Sequence, residues 1–177
     1  YYVNDAAGVS VVRGKLDTPL DSEVIVFDLE TTGLKPSTEE ITEIAAVLVR
    51  EGQIIDSFQT YVNPHKPIPP EITELTGISD ETVRDAPELA DAVPKFLAFA
   101  GERPLVAHNA GFDMSFLNAA CKRLGIKQAF TSIDTLEMSR ILLPQLNKHK
   151  LNVLAKELAV GPFEHHRASE DATVLAR

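Results

Sequence analysis

An α/β domain with an antiparallel meander at one side of its sheet is the fold class that this sequence predicts, on three observations. The run Val24-Ile25-Val26-Phe27 sets four β-branched or aromatic residues in succession, which suits a strand buried on both faces. Two further strand patterns, Ile41 to Val49 and Gln53 to Val62, follow across short turns at Gly33-Leu34-Lys35-Pro36-Ser37 and Glu51-Gly52. From Pro87 onward, stretches with apolar residues at helical spacing alternate with short apolar strands. A chain of 177 residues, 44% of them apolar, is long enough for one domain with a full core.

The elements follow in order. Residues 1–20 carry a β-branched patch at Val9 to Val12 and read as a lead-in from a preceding domain, contributing one strand; residues 21–177 form the domain itself. Within the second strand, Glu43-Ile44-Ala45-Ala46 taken alone fits a helix equally well, whereas the third strand alternates with period two. Four prolines between Asn63 and Pro70 remove donors and fix φ, so that segment is a rigid connector. Short helical pieces are expected over Glu71 to Leu75 and Asp80 to Val83. Pro87 is placed as the first residue of a helix to Ala100, with Leu89, Val93, Phe96 and Leu97 on one face. A buried strand over Pro104 to Ala107 leads to a helix from Met114 to Leu124, and Phe130 to Ile133 is the last strand. Asp134 reads as the N-cap of a helix that Pro144 ends; Lys150 to Leu158 is amphipathic and closes at Gly161-Pro162; a final helix starts at Ala168.

Composition removes several functional classes. A formal charge of −9 excludes a large basic surface for holding nucleic acid, but not an enzyme that neutralises phosphates with bound metal. No apolar run reaches the roughly 18–20 residues of a membrane span, and no charged segment followed by an apolar one marks the chain for secretion. The one cysteine, Cys121, excludes an internal disulfide and agrees with a reducing, cytoplasmic setting. Both ends of the chain have the look of a domain excised from a longer protein.

The chemistry starts where the first strand stops. Asp28 and Glu30 are two apart and so point to one side of the strand. Carboxylates buried there need a cation or donors, and converging hard oxygens suit Mg²⁺ or Mn²⁺ better than Zn²⁺. Asp113 falls in the first turn of its helix, where it serves as a cap or as a further ligand, and His166 and Asp171 flank the start of the last helix. If these element ends meet at one sheet edge, the four negative charges would repel, and two divalent cations would offset them. Two such cations form the clamp used for in-line displacement at phosphorus.

Three motifs now stand in order: Asp28-Leu29-Glu30-Thr31-Thr32-Gly33, His108-Asn109-Ala110-Gly111-Phe112-Asp113, and His166-Arg167-Ala168-Ser169-Glu170-Asp171. Together they resemble the three motifs of the DEDDh (DnaQ-like) 3′–5′ exonucleases over Val24 to Leu175. The lead-in at Tyr2 to Asp5, the Asn63-Pro64 connector into Thr76-Gly77-Ile78, and Lys148-His149-Lys150-Leu151 are similar to the proofreading domains embedded in PolC-type polymerase III α chains. The resemblance implies an RNase H-like fold, a mixed five-stranded sheet with helices on both sides. It implies that Asp28, Glu30 and Asp171 ligate one metal, that Asp28 bridges to a second held by Asp113, and that His166 is the general base, with His165 the local alternative.

By the same resemblance Thr31, Thr32, Gly33, His108 and Asn109 lie against the terminal nucleotide. Leu34 is a wedge under its base and Phe112 stacks nearby, with core packing the competing role for both. The implied partners are the 3′ end of single-stranded or frayed DNA and the polymerase domains of the same parent chain, with no membrane. RNA trimming and a silent binding module are the alternatives. Neither strands nor spacing distinguish DNA from RNA.

Overall fold

The computed structural model describes residues 2–5, 8–11, 23–160 and 167–177. Its strands are β1 (Tyr2–Asp5), β2 (Gly8–Val11), β3 (Val24–Thr31), β4 (Ile41–Arg50), β5 (Gln53–Tyr61), β6 (Leu105–Ala107) and β7 (Phe130–Asp134). Its helices are α1 (Pro70–Thr76), α2 (Asp80–Val83), α3 (Leu89–Ala100), α4 (Ala110–Arg123), α5 (Thr135–Leu142), α6 (Leu151–Glu157) and α7 (Ala168–Ala176). The sheet order is β2-β1-β7-β6-β3-β4-β5. The meander expected at one side is β3, β4 and β5, each antiparallel to the next, while β3, β6 and β7 run parallel. Those five strands are the mixed sheet of the RNase H-like fold, with helices on both faces.

The lead-in contributes two strands rather than one. Residues around the β-branched patch pair with Tyr2–Asp5 as a hairpin, and β1 continues the sheet antiparallel to β7.

The central strand has two different faces. Ile25, Phe27 and Leu29 enter the main core with Val93, Phe96 and Leu97 of α3 and Phe116 and Leu117 of α4. Val26, on the opposite face with Val47, Val49 and Val106, packs against Leu175 of α7. Alternation therefore puts Asp28 and Glu30 on the α7 side. The ladder carries a bulge after Glu30, where the register to β4 shifts before Thr31 pairs with Ile41. A bulge bends and ends regular pairing, which frees the chain to turn away at Thr32 and Gly33.

Two helix starts differ from the sequence expectation, and both for the same reason. Pro87 does not open α3: its carbonyl accepts the Asn63 N–H at 2.9 Å, so the helix waits until Leu89, with Glu88 in extended backbone at the cap. In α4 the helix begins at Ala110, four residues before Met114. Asn109 takes a left-handed conformation (φ 65°), which an Asn tolerates, and its carbonyl accepts the Phe112 N–H at 2.9 Å. Long-range and turn-level hydrogen bonds override the local pattern in each case.

A smaller cluster of Ile68, Ile78 and Val83, with Ile72 against it, folds the proline-rich connector under α1 and α2. Leu151 and Ala155 of α6 meet Val174 of α7. Cys121 is buried in α4, and desolvation pushes its thiol up to about 11, which fits packing rather than nucleophilic chemistry. Among the described residues no helix is long and apolar enough to cross a membrane.

Phe96 joins the two halves of the main core, with its ring centroid 5.7 Å from Phe27 and 6.0 Å from Phe58. Phe96→Ala is expected to cost about 3–5 kcal/mol in urea unfolding. A loss near the roughly 0.5 kcal/mol of a surface substitution would contradict this account of the core.

Candidate active site

The C-terminal end of β3 brings two carboxylates to the edge of the sheet, and α7 brings a third down onto them. Ligand oxygens of Asp28, Glu30 and Asp171 all lie within 4.8 Å of one another. Asp171 is in the first turn of α7, its N–H bonded to the Arg167 carbonyl at 2.8 Å, and it is buried. Asp113 approaches from the other side of the strand. Its Oδ1 accepts the Leu29 N–H at 3.1 Å, so it is tied to the backbone between the two β3 carboxylates, yet it is not among the three oxygens that meet.

The electrostatics are those of negative charge packed out of water. Burial pushes the Asp28 carboxyl well above its ordinary value, and the charges of Asp113, Glu30 and Asp171 push it further. Burial and then Asp171 raise Glu30 to about 8. Asp113 is also raised to about 8, by burial, against the opposing pull of the Leu29 N–H. A group of acids that hold each other protonated is a group that a cation would stabilise. Three converging carboxylate oxygens, with no sulfur or imidazole among them, have the donor chemistry of a hard divalent cation, so the residues fit such an ion.

The cluster forms the floor of an open cleft of about 810 Å³. One wall is apolar: Leu34, 81% exposed at the turn after β3, with Ile72 and Leu75 of α1. The turn that presents Leu34 is braced from beneath. Thr31 Oγ1 donates to the Gly33 carbonyl at 2.6 Å, and Thr32 Oγ1 donates to Glu39 at 2.7 Å, where Lys66 also binds at 2.7 Å. Thr32 is thus buried in the brace, while Thr31, Gly33 and Leu34 line the cleft.

Polar groups line the cleft as well. His108 and Asn109 are among them, and His108 Nε2 lies 2.8 Å from the His149 carbonyl. Phe112 contributes to the cleft and also packs on the core, its ring 5.0 Å from Phe116, so the structure gives it both surfaces. Arg140, Asn147, Lys150 and Asn152 also line the cleft, interspersed with Leu136 and Leu151. The sequence assigned none of them to the site: Lys150 entered only as the start of an amphipathic run and within the Lys148-His149-Lys150-Leu151 resemblance, and scattered polar residues such as Arg140 and Asn147 carry no pattern of their own. Asp134 caps α5 through the Leu136 N–H at 2.9 Å, as expected, and also accepts the Asn109 N–H at 3.1 Å, which holds the turn before Asp113. His165 and His166 lie outside the described residues.

A carboxylate cluster at the end of a central strand, on a mixed sheet with helices on both faces, has the donor set of a metal-dependent hydrolase. The chain belongs to the exonuclease family (RNase_T), whose model matches residues 25–177. It is 47% identical over 176 residues to the PolC-type DNA polymerase III of Caldanaerobacter subterraneus subsp. tengcongensis, and 44% identical over 172 residues to that of Bacillus subtilis. Those alignments cover 99% and 96% of this chain but 12% of each relative, so the chain corresponds to one part of a much longer protein. Among solved structures it is similar to Exonuclease X in complex with 5′ overhanging duplex DNA, with a TM-score of 0.70, 30% identity and 86% of both chains covered. Exonuclease I from E. coli, bound to single-stranded DNA, shares the fold at a TM-score of 0.79 and 18% identity, over 88% of this chain and 39% of that one.

The raised acids set a pH dependence. In the metal-free domain Glu30 and Asp113 keep protons up to about 8, while in the unfolded chain they release them near the ordinary values of 4.5 and 3.8. Between those limits the folded state binds more protons than the unfolded one, so stability falls as pH rises. The melting temperature in EDTA is expected to drop from about pH 5 to about pH 8, less steeply in Glu30→Gln, and to recover at high pH on adding Mn²⁺. A flat profile would overturn the assignment.

Proposed function

We propose that this domain removes single nucleotides from the 3′ end of single-stranded or frayed DNA, as the proofreading unit of a PolC-type replicative polymerase. The observation that carries the reading is the meeting of Asp28, Glu30 and Asp171 within 4.8 Å in a chain of the exonuclease family. Similarity to PolC-type polymerases over nearly the whole chain supports the parent protein, and Exonuclease X with its overhanging duplex supports DNA as the substrate.

In this reading Asp28, Glu30 and Asp171 would hold one divalent ion, and Asp113 with Asp28 would hold a second, each Mg²⁺ or Mn²⁺. Bound ions of this kind neutralise charge at the reacting phosphate and make water easier to deprotonate. His166 takes the proton of the attacking water, a role suited to an imidazole with an ordinary value of about 6.5. Thr31 and Gly33 bound the place of the terminal nucleotide, His108 and Asn109 face it as polar lining residues, and Thr32 keeps the turn in place from below.

The lining offers a strand two kinds of surface. Leu34, Ile72 and Leu75 offer apolar surface to bases, while Arg140 and Lys150 offer cations to phosphates. No sequence reading is involved. A mispaired end frays at lower cost than a paired one, so it reaches the floor of the cleft more often. At a net charge of −9 the domain has little attraction for DNA of its own, and attachment to polymerase domains of the parent chain supplies the local concentration. In this reading the exonuclease unit proper is 21–177, and residues 1–20 are a lead-in whose hairpin extends its sheet.

Digestion of a 5′-labelled single strand tests the reading. The chain with Mg²⁺ or Mn²⁺ is expected to give a ladder shortened from the 3′ end, abolished by EDTA and by Asp28→Ala. His166→Ala is expected to lower turnover by about 10²–10⁴-fold. A folded but inert wild-type chain would leave only a binding role.

A further inference from the structure

The face of the sheet that carries Asp28 and Glu30 holds one more buried carboxylate. Glu43 of β4 is 4% exposed and pairs directly across the ladder from Glu30. Directly opposed residues project from the same face, so two acids stand side by side on the α7 side of the sheet. Such a pair is unfavourable unless each carboxylate is engaged elsewhere. Glu30 turns to Asp28 and Asp171, whose oxygens meet without Glu43. Glu43 has partners of its own: its Oε1 accepts from Gln59 Nε2 at 2.9 Å, and its carboxylate accepts the backbone N–H of Ala168, with the charges of Arg167 and Asp171 nearby.

The contact to Ala168 supplies what α7 lacks. The residue at the cap of this helix, Arg167, makes no side-chain cap hydrogen bond. The first N–H groups of a helix have no partner within it, and Ala168 is wholly shielded from water. Glu43 therefore caps α7 from a neighbouring strand. The turn that begins at this cap closes at Asp171, whose N–H reaches the Arg167 carbonyl at 2.8 Å. One end of a single helical turn is fastened to β4, and the other end carries the carboxylate that meets β3.

We propose that Glu43 is a positioning residue for the acidic cluster, capping α7 from β4 so that Asp171 stands at the distance from Asp28 and Glu30 that a divalent cation requires. This rests on the metal-binding reading given above. Glu43 itself has no part in ligation.

Three variants in the 177-residue chain separate capping from charge and from folding. Glu43→Gln keeps an acceptor oxygen at full reach, Glu43→Asp keeps the charge but retracts it by one methylene, and Glu43→Ala removes both. The readouts are backbone hydrogen exchange over residues 168–171 and Mn²⁺ affinity by calorimetry, with the metal concentration for half-maximal digestion as a third. For Glu43→Ala and Glu43→Asp, exchange over that turn should rise and Mn²⁺ affinity should fall by about 10-fold or more, the size of effect found when a group that orients a metal ligand is lost. Glu43→Gln should stay within about threefold of wild type on both.

Wild-type affinity in a folded Glu43→Asp, or unchanged exchange at Ala168 in that variant, would overturn the proposal. So would a Glu43→Gln variant as impaired as Glu43→Ala, since charge rather than capping would then be at work. If Glu43→Ala does not fold, the Gln and Asp pair decides alone. A wild-type chain that binds no Mn²⁺ would overturn the metal reading instead, and exchange at Ala168 would then decide the cap by itself.

Discussion

Burial of negative charge at the end of β3 is the constraint on which the rest of this domain depends. A lone carboxylate in such a place would cost several kcal/mol, and here three oxygens meet within 4.8 Å with a fourth acid beside them. Among the described residues, N–H donors answer part of this charge, and the Arg167 guanidinium lies near Glu43. Leu29 donates its N–H to Asp113, and Gln59 and Ala168 donate to Glu43. What these donors leave uncompensated appears as carboxyl pKa values raised above the ordinary range, and a bound cation would relieve it. Stability is given up locally for affinity.

That arrangement needs a rigid sheet with two unlike faces. One face of β3 is spent on the main core with α3 and α4, which fixes the strand in depth and register. The other face is left to α7, the last helix in the chain, whose Leu175 packs against Val26 while Asp171 reaches the strand end. A bulge after Glu30 then lets the backbone leave the sheet and present Leu34 to the cleft. Each feature serves the next, because a carboxylate cluster tolerates no slack in the elements that carry it.

The strands of the meander were legible from local pattern, since β-branched runs and tight turns are encoded within a few residues. Helix starts were less so. Pro87 looks like an opening residue, but its carbonyl is taken by Asn63 from the far side of the connector. Met114 looks like the start of an inner face, but a left-handed Asn109 lets the helix begin at Ala110. The hairpin that β1 and β2 add beside β7 pairs residues more than a hundred positions apart, and no local pattern announces such a partner.

The donors were written in the primary structure: Asp28 and Glu30 two apart on a strand, Asp113 in the first turn of a helix, and Asp171 within one turn of another. Spacing within an element determines which way its side chains point, so these relations follow from the chain itself. Only the tertiary structure decided that Asp171 closes on the β3 pair, that Asp113 is tied to Leu29, and that Glu43 bonds Gln59 and Ala168 rather than joining the three oxygens. Those are relations between elements far apart in sequence. They are set by the packing of α7 on β3 and β4 and of α4 on β3, and periodicity carries no information about what lies across a sheet.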